Sequence, residues 1–252
     1  SCSQTQDSDR EKKDVFTSTY APKDSGHVLI RGGNILTGTE EELINHDILI
    51  FDNKIQELGK SLDEPENALI IEAKGRWITP GIIDIHSHMG VYPSPSLRSN
   101  SDGNESTDPV TPHVWAEHSF WTQDTQIPLA LKGGVTTFHV LPGSANLFGG
   151  RGVTLKNIWS KSVQGMKFPD APYTLKMACG ENPKRVYGSS RQPATRMGSV
   201  AGYREAWIKA KEYQNDSKSR DLKLDTLKGV LDGEILIQNH CYRGEEMLVM
   251  MD

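Results

Sequence analysis

Seven residues, Ile82-Ile83-Asp84-Ile85-His86-Ser87-His88, constrain this chain more than any other stretch. On an extended strand the side chains alternate with period two. Asp84, His86 and His88 then share one face, and Ile83 and Ile85 take the other. Three polar groups on one face at the end of an apolar strand make a poor core and a good metal site. Two imidazoles two residues apart can point at one cation about 2 Å from each nitrogen. The H-x-H spacing alone leaves open a pair of hydrogen-bonded core or loop histidines. The preceding Trp77-Ile78-Thr79-Pro80-Gly81 turn and the buried-strand pattern favour ligands.

The chain changes rhythm on either side of this segment. Before it, Val28–Ile30, Ile35–Leu36, Ile48–Phe51, Ile55–Leu58 and Leu69–Ile71 read as strands. Gly32-Gly33, Asp52-Asn53 and Gly59 punctuate them as turns, and Asp52-Asn53 between two β runs is a hairpin signal. Residues 27–79 are therefore expected to be a small β domain. After Pro80, strands are expected at Ile82–His86, Val135–Val140, Val153–Leu155, Tyr173–Cys179 and Ile235–His240. Helices are expected near Phe120–Leu131, Tyr203–Tyr213 and Leu222–Leu231. Near-continuous apolar strands alternating with helices predict a parallel sheet with crossover helices. Tyr92–Pro112 is a long polar loop of the kind that forms lids or binding loops.

Composition matters mainly for what it excludes. A net charge of −5 and a pI near 5.9 give no basic surface for nucleic acid or anionic membrane. No run approaches the ~18 apolar residues of a membrane-spanning helix. Three cysteines, Cys2, Cys179 and Cys241, are not a disulfide framework; Cys179 and Cys241 read as buried small hydrophobes. Residues 1–26 form a polar stretch with little to bury, expected to be disordered or a tether. Cys2 ahead of such a linker is similar to the lipid-bearing cysteine of a processed bacterial lipoprotein. That points to a periplasmic or cell-envelope location, with a cytoplasmic one as the alternative.

The stretch Ile78-Thr79-Pro80-Gly81-Ile82-Ile83-Asp84-Ile85-His86-Ser87-His88 resembles the signature of the amidohydrolase superfamily. Those are metal-dependent hydrolases built on a TIM barrel with an accompanying β-sandwich. Gly134-Val135-Thr136-Thr137-Phe138-His139-Val140-Leu141-Pro142-Gly143-Ser144-Ala145-Asn146 resembles the imidazolonepropionase-related branch, and so does Lys176-Met177-Ala178-Cys179-Gly180-Glu181-Asn182-Pro183-Lys184-Arg185. The resemblance implies an α/β fold, a (β/α)8 barrel over residues 80–252 preceded by part of a β-sandwich over residues 27–79. It implies that His86 and His88 bind a divalent metal, Zn²⁺, as one or two ions. A carboxylated Lys or a Glu after the fourth strand bridges the metals in this family. Glu181 and Lys176 both qualify, and Glu181, at the strand's mouth, is preferred. His240 matches the histidine closing the fifth strand; a His ending a buried apolar strand is also a ligand candidate on physical grounds. Relatives carry a second His where this chain has Tyr242.

Weaker substrate-binding candidates are His139, one residue before the end of its strand, and Arg185, whose guanidinium suits a carboxylate. Arg151 and Arg196 are further possible clamps. The segment Pro142–Gly152, rich in glycine, reads as a flexible loop that can offer backbone N–H groups. The resemblance implies hydrolysis of an amide or cyclic amide in a small-molecule substrate by a metal-activated water. The general base of the family is an Asp on the eighth strand, and no residue here matches it. At ~30 residues per βα unit, the residues after Pro80 suffice for about five units, while a closed barrel takes ~250 residues. The chain is thus expected to be the N-terminal part of a longer protein. Its expected partner is the missing C-terminal half of the barrel, and a homo-oligomer is expected too. The competing reading is a catalytically incomplete fragment or subunit that binds metal or a partner without turnover.

Overall fold

A computed structural model describes residues 16–214 and 220–251 of the chain. They divide into two compact units, Ala21–Ile82 and the residues from Ile83 onward joined by those before Ala21. Cys2 and most of the expected tail lie outside the described residues. Among the described residues, no helix is long and apolar enough to cross a membrane.

The first unit is one five-stranded sheet. It contains β1 (His27–Leu36), β2 (Glu42–Phe51), β3 (Lys54–Gly59), β4 (Leu69–Glu72) and β5 (Trp77–Ile78), in the order β3-β2-β1-β4 with β5 also on β1. Leu29, Ile35, Ile48 and Ala73 form its buried side. Asp52 and Asn53 have φ of 49° and 61°, the positive values that a two-residue turn of the primed type requires between β2 and β3. Gly32-Gly33 is not a turn between two strands, as the sequence suggested. It is a bulge inside β1, where the register with β2 slips between Ile30 and Gly33. The buried Asp47 carboxylate holds it, accepting from the Gly32 amide at 2.8 Å and the Leu62 amide at 3.0 Å. A second facing layer, as in a sandwich, is not present among the described residues of this unit.

The second unit contains β6 (Ile82–Ser87, whose first residue belongs to the other unit), α1 (Gln126–Lys132), β7 (Val135–Val140), β8 (Phe148–Lys156) and β9 (Thr174–Ala178). Then come α2 (Glu181–Tyr187), α3 (Arg196–Glu212), α4 (Leu222–Leu231), β10 (Leu236–His240) and α5 (Gly244–Met251). The strands form an open, half-barrel-like sheet in the order β10-β9-β8-β7-β6. It is mixed, not all parallel. β10 runs parallel to β9, but β8 is antiparallel to both β7 and β9. The reason lies in the connection: residues 141–147 are too few for the crossover of a dozen or more residues that a parallel neighbour needs. The glycine-rich stretch from Phe148 to Gly152 is therefore strand, not loop.

Two helix starts also differ from expectation. α1 begins only at Gln126, because the Asp124 carboxylate is occupied by the amides of Gly90, Ser94 and Gln126. α3 starts earlier than Tyr203 because Thr195 caps it, its hydroxyl accepting from the Gly198 amide at 3.0 Å. Part of the expected polar tail is packed. The Phe16 ring lies edge-on to Trp115 and His118, and the Ser18 hydroxyl donates to the Lys167 carbonyl at 2.6 Å. One aromatic ring supplies the apolar area that the tail's polar composition concealed.

Cys179 and Cys241 are joined by a disulfide with their Cα atoms 5.4 Å apart, which corrects their reading as separate buried thiols. The register Ala178↔His240 between β9 and β10 brings the next residue of each strand side by side.

The alternation along the strands sorts the second unit into layers. Phe138 and Val140 on β7 pack with Val153 and Leu155 on β8, and with Phe120, Ile127 and Met166. Phe148, Leu175 and Met177 pack under Tyr203, Ala206 and Leu227 of α3 and α4. The residues between them, His139, Thr154, Thr174 and Lys176, take the opposite side. Phe138 is fully buried at the centre of the first cluster, so Phe138→Ala is expected to destabilise this unit by about 3–5 kcal/mol. A urea-unfolding midpoint unchanged from wild type would contradict that packing.

Candidate functional site

The register of the sheet builds the site. Cα partners across a ladder share a face. His139 on β7 faces Thr154 on β8, Lys176 on β9 faces Gln238 on β10, and His240 lies two residues beyond Gln238 on the same side. His86 comes from β6 and His88 follows it.

Lys176 sits at the centre, only 2% exposed. Its Nζ is 3.1 Å from His86 Nε2. Among the described residues, no carboxylate pairs with it. Burial pushes the amine down to about 8. The His86 and His88 rings stand perpendicular, with centroids 5.2 Å apart. His88 Nδ1 lies 2.8 Å from the Leu141 carbonyl oxygen and donates to it, which leaves Nε2 as the free electron pair. His240 keeps a buried Nε2 with no hydrogen-bond partner, while its ring sits edge-on to Tyr242 at 4.5 Å. Burial lowers the pKa of all three imidazoles, and the nearby Lys176 charge lowers each further. The three are thus held neutral, the form that coordinates metal. Among the described residues, no three His, Cys, Asp or Glu side chains stand ready-made around one point. The fourth member of this cluster is the lysine.

The other candidates separate. Glu181 is exposed in the first turn of α2, while Lys176, the alternative, is the residue at the histidines. The sequence-level preference for Glu181 rested on nearness to the strand's end, which says nothing about burial. Asp84 accepts from the His86 amide at 3.1 Å. His139 is not a mouth residue. It is buried, with Nδ1 at 2.9 Å from Thr154 Oγ1 and Nε2 at 2.7 Å from Thr174 Oγ1, so neither nitrogen remains for a substrate. Gly152 permits this bridge, since a Cβ there would fall 2.6 Å from Thr174 Oγ1 and 2.8 Å from His139 Nε2. Arg151 is engaged elsewhere: its Nε donates to Thr226 Oγ1 at 2.9 Å, and its guanidinium lies 4.3 Å over the Trp115 ring. Arg196 pairs with Glu246.

Arg185 does border the site, in a cleft of about 360 Å³ that His88 also lines. Asn182, Ser144 and Tyr92 line the same cleft. The sequence reading passed over Asn182, although it stands one helical turn before Arg185 and shares its face. Part of the long loop after Tyr92 forms a wall. Asn146 fixes it, donating to the carbonyls of Glu105 at 2.6 Å and Asp108 at 2.8 Å.

No family model matches the chain. It is 34% identical over 237 residues to amidohydrolase tasK of Hapsidospora irregularis, covering 82% of this chain and 24% of that protein. The crystal structure of an amidohydrolase from Thermotoga maritima MSB8 superposes with a TM-score of 0.81 at 36% identity, over 89% of this chain and 60% of that one. A 5-methylthioadenosine/S-adenosylhomocysteine deaminase of Thermococcus onnurineus is 31% identical over 120 residues, 44% of this chain and 27% of that protein. The chain thus spans about a quarter of the two curated relatives' lengths.

The buried histidine bridge has a pH signature. Burial, with the charges of His86 and Lys176 behind it, pushes His139 from 6.5 down to about 4. Between those values the unfolded chain binds a proton that the folded one refuses, so stability falls as the pH falls from 6.5 towards 4. The His139 contribution is expected to be about 3 kcal/mol. Urea unfolding at stepped pH should show a shallower acid loss in His139→Gln than in wild type. Equal losses would show that this imidazole does not resist protonation.

Proposed function

The chain belongs to the amidohydrolase superfamily, and from that premise we propose that it carries the metal-holding part of a hydrolase opening a carbon–nitrogen bond, amide or cyclic amide, in a small molecule. One observation carries the reading: His86 Nε2 lies 3.1 Å from the buried Lys176 amine, the His88 ring lies 5.2 Å from that of His86, and His240 stands two residues beyond the β10 partner of Lys176. The donor set fits a divalent ion. His240 offers an orphaned buried nitrogen, and His88 is oriented through its Nδ1 so that Nε2 is presented. We assign the anionic ligand to Lys176 rather than Glu181. The Lys176 amine, which no carboxylate among the described residues neutralises, would add to carbon dioxide with loss of one proton, and the carbamate would supply the anionic oxygen donors beside His86. One or two Zn²⁺ ions held there would supply a bound water of lowered pKa and polarise the substrate carbonyl.

The chain's own residues do the rest of what is assigned here. The Leu141 carbonyl fixes the His88 tautomer, and the His139–Thr174 pair stiffens the floor beneath Lys176. No residue of this chain is given the role of general base. The imidazolonepropionase-related branch is supported by the two stretches that supply Ser144 and Arg185 to the cleft. Ile83 and Ile85 on β6, and Leu236 and Ile237 on β10, are exposed along the two edges of the open sheet. We assign their cover to further strands of the same barrel, and a second layer over the first unit to strands beyond these residues.

His86→Ala combined with His88→Ala is expected to abolish bound Zn²⁺ in elemental analysis, and unchanged metal content would defeat the site assignment. Lys176→Met is expected to lower kcat by about a hundredfold or more through loss of the anionic ligand. Intact-mass measurement in bicarbonate should show the carbon dioxide adduct in wild type and not in Lys176→Met.

A further inference from the structure

Glu246 is a buried charged group that the hydrolase reading leaves unused, and its burial needs a reason. It stands in the first turn of α5, where the Arg243 carbonyl accepts from the Met247 amide at 3.2 Å. That bond makes Arg243 the helix cap. Glu246 Oε2 accepts back from the Arg243 amide at 3.3 Å, which is half of a capping box. An exposed carboxylate caps a helix equally well. Glu246 is 6% exposed, and carboxylates are seldom taken that far out of water unless they are paired.

Both of its oxygens are committed. Oε2 also accepts from the Tyr242 amide, at 3.3 Å, and Oε1 pairs with Arg196 Nε at the start of α3. A Cβ on Gly180 would collide with Oε1, so the carboxylate fills the space that a side chain just past β9 would take. Two routes lead from it to His240. Tyr242, whose amide it holds, sets its ring edge-on against the His240 ring, with centroids 4.5 Å apart. Cys179, next to Gly180, donates its amide to the His240 carbonyl at 2.9 Å. Ala178, the β9 partner of His240, lies two residues beyond Lys176. Strand ends fray, so the direction of a ring on a last residue depends on the turn that follows it. Glu246 grips that turn and abuts the end of the strand that carries the lysine.

We propose that Glu246 is the positioning residue of His240: through the Tyr242 and Arg243 amides it fixes the turn after β10, and so holds the imidazole on the face that Lys176 shares. This rests on the metal-holding part proposed above and adds the group that aims its third histidine. Tyr242 passes the constraint on, by standing its ring against that of His240.

The test compares the full-length protein with its Glu246→Ala, Glu246→Gln, Tyr242→Ala and Asp221→Ala variants, the last removing the cap of a different helix, α4. Metal-free samples are treated with diethyl pyrocarbonate, which acylates accessible imidazole nitrogens, and peptide mass spectrometry reads His240 against His86. The His240-to-His86 ratio is expected to rise severalfold in Glu246→Ala and in Tyr242→Ala. It should return towards wild type in Glu246→Gln, whose amide oxygen still accepts from the turn, and stay unchanged in Asp221→Ala. Zn²⁺ affinity, measured by competition with a chromophoric chelator, is expected to weaken about tenfold or more in Glu246→Ala and to follow the same order. An unmoved ratio in Glu246→Ala, an equal rise in Asp221→Ala, or a Gln variant as affected as the Ala one would each overturn the proposal. Should Glu246→Ala not fold, Tyr242 is 60% exposed and tolerates truncation, and an unmoved ratio in Tyr242→Ala overturns it equally. Zn²⁺ held as tightly by Glu246→Ala as by wild type overturns the proposal and leaves the hydrolase reading standing. A wild type that binds no Zn²⁺ defeats that reading, and the metal-free ratio still decides what holds His240.

Discussion

A lysine amine buried in the middle of a sheet, with no carboxylate to neutralise it, is the constraint around which the second unit is arranged. Leu175 and Met177 anchor β9 in the apolar layer under α3 and α4, and period two then sends Lys176 to the other side. The strand cannot bury its apolar residues without burying this amine. Stripping it of water disfavours the ammonium, which is why it is pushed down to about 8. Whatever charge it keeps falls on the imidazoles around it and holds them neutral. A buried cation and neutral histidines are a poor arrangement for stability alone and a suitable one for receiving an anion or a metal.

The antiparallel β8 makes room for this arrangement. Its register places Gly150 opposite Lys176 and Gly152 opposite Thr174. Gly150 has a φ of 112°, and a Cβ on it would meet the Val114 carbonyl at 2.5 Å. Gly152 leaves the gap through which His139 reaches Thr174. The glycines that looked like a flexible, anion-cradling loop are spacers in a rigid strand. Their lack of side chains sets how closely three strands approach beside the site.

What was legible in the sequence follows from which physics is local. Hydrophobic alternation is local, so β6 and β7 could be read directly, as could the span of α4. Strand direction is not encoded by alternation. The brevity of residues 141–147 held that information, and the parallel expectation overlooked it. Burial at a given depth of a strand is a property of the sheet around it, so the exposure of Glu181 and the burial of Lys176 needed the packed structure. The Cys179–Cys241 bond, at a sequence separation of 62, depends on the β9–β10 register and was invisible for the same reason. So was the docking of Phe16 on Trp115, a single ring in a polar stretch.

The order of the strands explains why these residues meet at all. β6 lies three steps from β9 in the open sheet, yet His86 Nε2 on one is 3.1 Å from Lys176 Nζ on the other. A flat sheet would hold those two strands about 14 Å apart, at ~4.8 Å per step, too far for that contact. The sheet must therefore curl towards its polar face, as right-handed twist and strand stagger require of an incipient barrel. Curling concentrates Lys176, His86, His88 and His240 on the concave side and leaves the apolar residues on the convex side under their helices. The site is then a consequence of curvature as much as of motif. An H-x-H on a flat sheet would stand apart from the distant strands, and on this curled one the exposed His86 still meets the amine of Lys176, contributed by a strand far along the chain.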